Sequence, residues 1–379
     1  MNTFQSVYQQ QAWGPELQPN DKAQLVLIFG SRTLATNTDI RKNVASQYPN
    51  AQIIGCTTSG EISDTRIYDE SLCLTAIEFK SSKIDVFTVD INSDPSSAFR
   101  KLAEHFNNSD LKSLFVLSDG QMVNGTDLVN TLQEILPKDT VITGGLAGDG
   151  TNFSETILWH NGNCGHGKII GCGFYGENLR VGHGSMGGWD PFGPKRMVTK
   201  SYDNILYALD DKPALELYRN YLGDHAKSLP ASALLFPLLI SRENDQPDVI
   251  RTILNINEHD KSMIFAGDIP EGSYAQLMKA NFERLIDGAE IAAKNTVLSI
   301  LDEHKQQDGL VIMVSCVGRR LVLNQRTEEE VEAVKDTFGD NNTYTGFYSY
   351  GEISPLVQGG KCGLHNQTMT ITSFFEIDE

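Results

Sequence analysis

Basic residues are scarce in this chain: 31 Lys and Arg stand against 49 Asp and Glu in 379 residues, a net charge of −18. No cluster of Lys and Arg interrupts that balance. Such a surface repels phosphate backbones and anionic lipid, so no nucleic-acid and no membrane partner is expected. Long apolar runs are missing as well. The longest, Ala233–Ile240, is broken by Pro237 and falls far short of the ~20 residues that span a bilayer. The opening MNTFQSVYQQ has neither the basic nor the apolar region of a secretory signal. The six cysteines (56, 73, 164, 172, 316 and 362) form no C-x-x-C pair and no dense framework, which predicts free thiols in a reducing, cytoplasmic setting. What is present is the composition of an ordered globular protein, 40% hydrophobic and 21% charged, long enough for two domains.

Residues 1–22, rich in Gln, Asn and Pro, read as an N-terminal arm. Order is expected from AQLVLIFG (23–30), a short apolar run ending in Gly and read as a buried strand. A helix through Ile40, Val44 and Tyr48 follows, then the strand AQIIG (51–55), the loop CTTSGEIS and a strand over 71–79. The same order of parts appears twice more. In one copy LFVLSDG (114–120) leads to a helix over 127–136, the strand TVITG (140–144), the loop GLAGDG and the strand TILWH. In the other, GLVIMVS (309–315) leads through CVGRR to a helix opened by Thr327 and Glu330 as a capping box, then to GFYSYGEIS and a final strand, 368–377.

Two loops match residue by residue: GCTTSGEIS (55–63) and GFYSYGEIS (346–354) share Gly and then Gly-Glu-Ile-Ser at the same spacing. Their equal placement points to an internal duplication. Between the copies, residues 182–194 (GHGSMGGWDPFGP) are expected to be irregular. A helix from Pro213 to about Leu222 marks a domain boundary near residue 210. After it come strands at 236–240, 249–256 and 262–266 and helix over 273–303, whole or broken. Alternating strands and helices make the class α/β, two related domains with mixed sheets flanked by helices.

Candidate chemistry gathers at strand ends, where α/β folds usually hold ligands. Cys56, Thr57, Gly60 and Glu61 share one turn, and Tyr350, Gly351 and Glu352 share its counterpart. Either glutamate could bind a ligand amine, or could satisfy the polar groups of its own turn. The glycines at 144–150 are not a Walker loop, because no Lys-Ser/Thr follows, and G-x-G-x-x-G does not fit. Cys316 beside Arg319 and Arg320 could be an activated nucleophile or an inert buried thiol. Arg251, Arg319 and Arg320 could grip a carboxylate or phosphate, or pair with the acidic surface. The eight histidines show no zinc spacing and no C-x-x-C-H. His183 and His365 are the two to examine as lone ligands.

These segments together resemble the FIST sensory family, whose members pair an N-terminal and a C-terminal FIST domain. The matching pieces are GCTTSGEI, GGLAGDG, GGWDPFGPKRMVT and NILYALDDKPALELY, then FPLLI, VIRTILNI, FAGDIPEG, SCVGRR, GFYSYGEI and LHNQTMT. The resemblance runs in order from about residue 23 to the end and implies FIST domains at 23–210 and 211–379. It implies a signal-input module binding a small ligand, either an amino acid-like molecule or, in one subset, haem that senses nitric oxide. With so few residues before the first expected strand, an F-box is not expected, nor a fused output domain. The signal would then pass to a separate partner such as a histidine kinase. The expected pocket is a cleft between the halves, lined by Gly60-Glu61, Gly351-Glu352, Arg251, Cys316, Arg319 and His365-Asn366, with His183 or His365 as the metal ligand if haem binds. The alternative is an enzyme with Cys316 as nucleophile.

Overall fold

The computed structural model describes residues 1–91, 94–241, 248–300 and 308–377. Three strand–helix–strand units recur. They begin at the strands Leu25–Gly30, Leu111–Ser118 and Leu310–Cys316. Each first strand pairs in parallel with a second, Gln52–Thr57, Val141–Leu146 or Thr343–Ser349. Each also pairs antiparallel with a third, Leu72–Glu78, Lys168–Tyr175 or Met369–Glu376. The first strands are mostly apolar because both of their faces are largely covered, with Lys112 the exposed exception. Leu25, Leu27 and Phe29 face a core shared by all three sheets, while Val26 and Ile28 face the layer of the helix Thr38–Gln47.

The copies are interlocked. The hairpin Glu61–Ser63/Arg66–Tyr68 of the first repeat joins the sheet of the third. The hairpin Leu158–His160/Asn163–Gly165 of the second joins the sheet of the first. The hairpin Gly351–Pro355/Cys362–His365 of the third joins the sheet of the second. Three equivalent backbone bonds close a ring where the repeats meet: Ser59 N–H to Tyr348 O at 2.8 Å, Tyr350 N–H to Leu146 O at 3.1 Å, and Gly148 N–H to Thr57 O at 2.9 Å. The architecture is therefore a pseudo-threefold arrangement. The duplication read from the two matching loops is a triplication.

One glycine marks the register in every copy. A Cβ on Gly55, Gly144 or Gly346 would lie 1.9 Å from the carbonyl oxygen of Ile28, Val116 or Met313 on the neighbouring strand. Any other residue there would push the parallel pair apart.

Three expectations change. The N-terminal arm is not a lead-in: Asn2–Gln9 is a strand paired along Leu72–Glu78, and Ala12–Gly14 folds back on it. The segment expected to be irregular lies in two strands, Leu179–Met186 and Trp189–Tyr202. The helix expected over 273–303 is a strand, Tyr274–Ala280, followed by the helix Phe282–Leu298, and residues 301–303 lie outside the described residues. A separate sheet with its own core spans residue 210, since Trp189–Tyr202 pairs with Tyr274–Ala280 and Ile205–Leu209 with Ser262–Phe265. This unit is inserted between the second and third repeats.

Candidate ligand site

The ring of strand ends carries two copies of one carboxyl arrangement. Thr58 Oγ1 donates to Glu61 Oε1 at 2.6 Å, and Ser71 Oγ donates to Oε2 at 2.6 Å. In the third repeat Ser349 Oγ donates to Glu352 Oε1 at 2.6 Å, and Oε2 receives Thr368 Oγ1 at 3.0 Å and the Thr368 amide at 3.2 Å. Burial pushes Glu61 up to about 7 and Glu352 up to about 8, against the opposing pull of these donors. In the second repeat the matching positions hold Ala147 and Gly150, so neither hydroxyl nor carboxyl is present.

Beside the first turn the chain leaves a cavity of about 440 Å³. Ser59 and Asp69 border it on one side, Gly150 and Thr151 on another, and Val317, Arg320 and Glu328 on the third. Gly60 lets the guanidinium of Arg320 lie against the turn, since a Cβ there would sit 2.4 Å from Nη1. Nη1 donates to the Ser59 carbonyl and Nη2 to Asp69 Oδ2. Asp69 is largely exposed, so this pair is readily exchanged for another anion. A planar guanidinium facing a half-open cavity, with Asp69 and Glu328 at its border, suits a molecule carrying both a carboxylate and an ammonium.

An equivalent cavity of about 240 Å³ lies at the next strand end. There Tyr350 takes the place of Ser59, and Gly120 and Val123 those of Val317 and Arg320. The Tyr350 hydroxyl donates to Asp149 Oδ1 and accepts the Asp149 and Phe153 amides at 3.1 and 3.2 Å. The inserted unit closes over this cavity with Asp203, Asn204 and Phe265.

The residues singled out from the sequence divide between these two places. Thr57 and Gly60 stand at the ring beside the larger cavity, while Glu61 and Cys56 are buried behind it. Tyr350 borders the smaller one. Gly351 and Glu352 continue as a strand along Leu146 and Gly145, and Asn366 Nδ2 donates to the Tyr350 carbonyl at 3.4 Å. The expected single cleft is thus two separate cavities around one ring.

Five residues lie elsewhere or have other work. Arg319 is buried in an ion pair with Glu330 at 2.7 Å and also donates to the Gly187 and Leu285 carbonyls. Glu330 is drawn to that guanidinium, so no capping box forms with Thr327. Arg251, also buried, donates to the Asp268 and Leu364 carbonyls and ties the inserted unit to the third hairpin. Cys316 is buried, and burial first, then Glu352, pushes its thiol up, not down. Its sulfur accepts the Gly318 amide and caps a helix, as Asp119 Oδ1 accepts the Gln121 and Met122 amides in the second repeat. That environment is wrong for a nucleophile. His365 Nε2 is bonded to the Ser354 carbonyl at 2.8 Å, and burial holds its pKa down at about 4. His183 is buried within a strand. Neither histidine borders either cavity.

Arg320 was a candidate anion grip from the sequence but was not placed in the expected cleft, and Asp69, Thr151 and Glu328 were not among the expected site residues. Arg320 is adjacent to Arg319, but successive helical residues point about 100° apart, and only the helix start decides which one faces out.

Residues 24–212 match the FIST N domain and residues 214–355 match the FIST C domain. The chain belongs to the FIST family. FIST domains are associated with signal transduction and small-ligand sensing, and the family is sensory rather than enzymatic. An uncharacterized protein of Methanocaldococcus jannaschii is 25% identical over 361 residues, covering 86% of this FIST chain, which spans 66% of that relative's length. A crystal structure of cyanuric acid hydrolase from A. caulinodans aligns over 100% of this chain and 99% of its own, at 6% identity and a TM-score of 0.38, a likeness that carries no argument. The larger cavity lies on the FIST seam: Ser59, Asp69, Gly150 and Thr151 come from the FIST N region, and Val317, Arg320 and Glu328 from the FIST C region. Among the described residues no helix is long and apolar enough to cross a membrane.

Proposed function

We propose that this FIST protein is a sensor whose small ligand occupies the cavity on the seam of its two domains, with Arg320 gripping a carboxylate of an amino acid-like molecule. The observation that carries this reading is the reach of Arg320, from the FIST C region, to Ser59 and Asp69 of the FIST N region across the cavity border. The cavity volume lies within the roughly 300–1,000 Å³ usual for small-molecule sites. A ligand carboxylate that takes the place of Asp69 on Nη2 changes how the two regions are joined. A ligand biases the arrangement that it binds better, and a partner that distinguishes the arrangements reads that bias. A histidine kinase is the partner class this reading favours, and a cytoplasmic setting agrees with six free cysteines.

The test is hydrogen exchange on the protein with a panel of amino acids, and with haem as a separate arm. A ligand at the seam slows exchange in residues 59–69 and 317–328 together. Protection in only one of these segments, or protection by haem alone, would overturn the proposal.

A further inference from the structure

The three interlocking hairpins are not alike. Two turn through residues 64–65 and 161–162, with Asp64 and Asn161 at φ of 54° and 51°, as tight hairpins require. Each is fastened to a helix of the sheet it joins: Lys335 Nζ meets Asp64 at 2.8 Å, and Arg41 Nη1 donates to the Gly162 carbonyl at 2.9 Å. The third hairpin turns through residues 356–361 and has no such cation across its tip among the described residues. Its one side-chain bond to the helix Gly125–Ile135 is from Gln133 Nε2 to the Cys362 carbonyl at 2.7 Å. Beneath the longer loop a cavity of about 700 Å³ opens between hairpin and helix.

Its chemistry is uneven. Leu136, Ile142 and Pro355 give it an apolar wall, and Lys138 and Lys361 stand on its border. Among the described residues neither lysine has an ion-pair or hydrogen-bond partner, although acids outnumber bases 49 to 31 in the chain. Thr140, in the same wall, keeps a buried hydroxyl oxygen with no partner. One carboxylate, Glu134, shares the border.

We infer that this groove is a second binding site, for a small organic anion whose carboxylate or phosphate group lies between Lys138 and Lys361 and whose apolar body rests on Leu136, Ile142 and Pro355. Thr140 supplies a hydroxyl donor to the same oxyanion. The site is independent of the seam cavity, since it is bounded by the helix of the second repeat and the hairpin of the third. It exists because the third hairpin is longer than its two copies.

Titration calorimetry with hexanoate, hexyl phosphate, inorganic phosphate and hexylamine tests it. Binding of hexanoate or hexyl phosphate, with at least tenfold weaker binding in a Lys138→Gln/Lys361→Gln double variant, is the expected result. The relative strength of the two anions identifies the head group, and binding by inorganic phosphate alone would overturn the apolar half of the inference. Arg320→Gln leaves this affinity unchanged, which separates the groove from the seam cavity. Equal binding of hexylamine, undiminished affinity in a double variant whose melting temperature matches wild type, or no saturable binding of either organic anion would overturn the inference.

Discussion

Glu61 and Glu352 are one carboxyl in two copies: each accepts a 2.6 Å hydrogen bond from a hydroxyl three residues earlier, Thr58 in one case and Ser349 in the other. The repetition explains why both carry perturbed acidity, since the fold buries both at equivalent strand ends. Neither touches a cation in its first layer of hydrogen bonds, so burial dominates.

A pH dependence follows. Both folded pKa values, about 7 and about 8, lie above the ~4.3 of an unfolded glutamate. As pH rises through this window the unfolded state gives up its protons first, so stability is full below ~4.3 and falls until both groups have ionised in the folded state. The loss is on the order of 4 kcal/mol for Glu61 and about 5 kcal/mol for Glu352. Urea midpoints from pH 5 to pH 9 should decline, and Glu61→Gln or Glu352→Gln should flatten the decline by removing one share.

The buried pair Arg319–Glu330 is predicted to be structural. Arg319→Met leaves Glu330 charged with no countercharge in a fully buried site, at a cost of about 3–5 kcal/mol. Denaturant melts should show that loss. A companion Glu330→Gln variant should be destabilised in the same direction.

Thiol chemistry separates a capping cysteine from a nucleophile. Cys316 should react with iodoacetamide more slowly than free cysteine at neutral pH, because burial holds it as the thiol. Cys164, half-buried, should be the first of the six to label. Peptide mapping of a timed reaction reads both.

The three register glycines offer a test of the triplication itself. Gly55→Ala, Gly144→Ala and Gly346→Ala each place a methyl 1.9 Å from a backbone carbonyl, so something in the parallel pair must shift. All three should lower the melting temperature by comparable amounts, each equivalent to about 1–3 kcal/mol. A neutral effect at Gly144 alone would argue that the middle repeat is not equivalent to the others.

Much of this fold was legible because each first strand is largely buried on both faces and carries a run of at least four apolar residues. The middle copy was harder to recognise: Ala147 and Gly150 replace the hydroxyl and carboxyl, so the motif is gone while the geometry of Gly144 remains. The first strand was missed because Asn2–Gln9 lies toward the edge of its sheet and alternates too weakly to stand out. Residues 182–194 looked irregular because their glycines serve helix packing; a Cβ on Gly184 would lie 2.2 Å from the Ala292 carbonyl. At the site, both Gly-Glu turns were found, but the cavity depends on which arginine of the pair faces out, and that is set by where the helix begins.

The central claim is that Arg320 holds the ligand on the seam between the FIST regions. Calorimetric titration of the strongest amino acid-like binder into wild type and Arg320→Gln tests it most directly. The account predicts at least tenfold weaker binding in a variant that stays folded, with the Lys138→Gln/Lys361→Gln double variant binding like wild type. Full affinity in Arg320→Gln would contradict it.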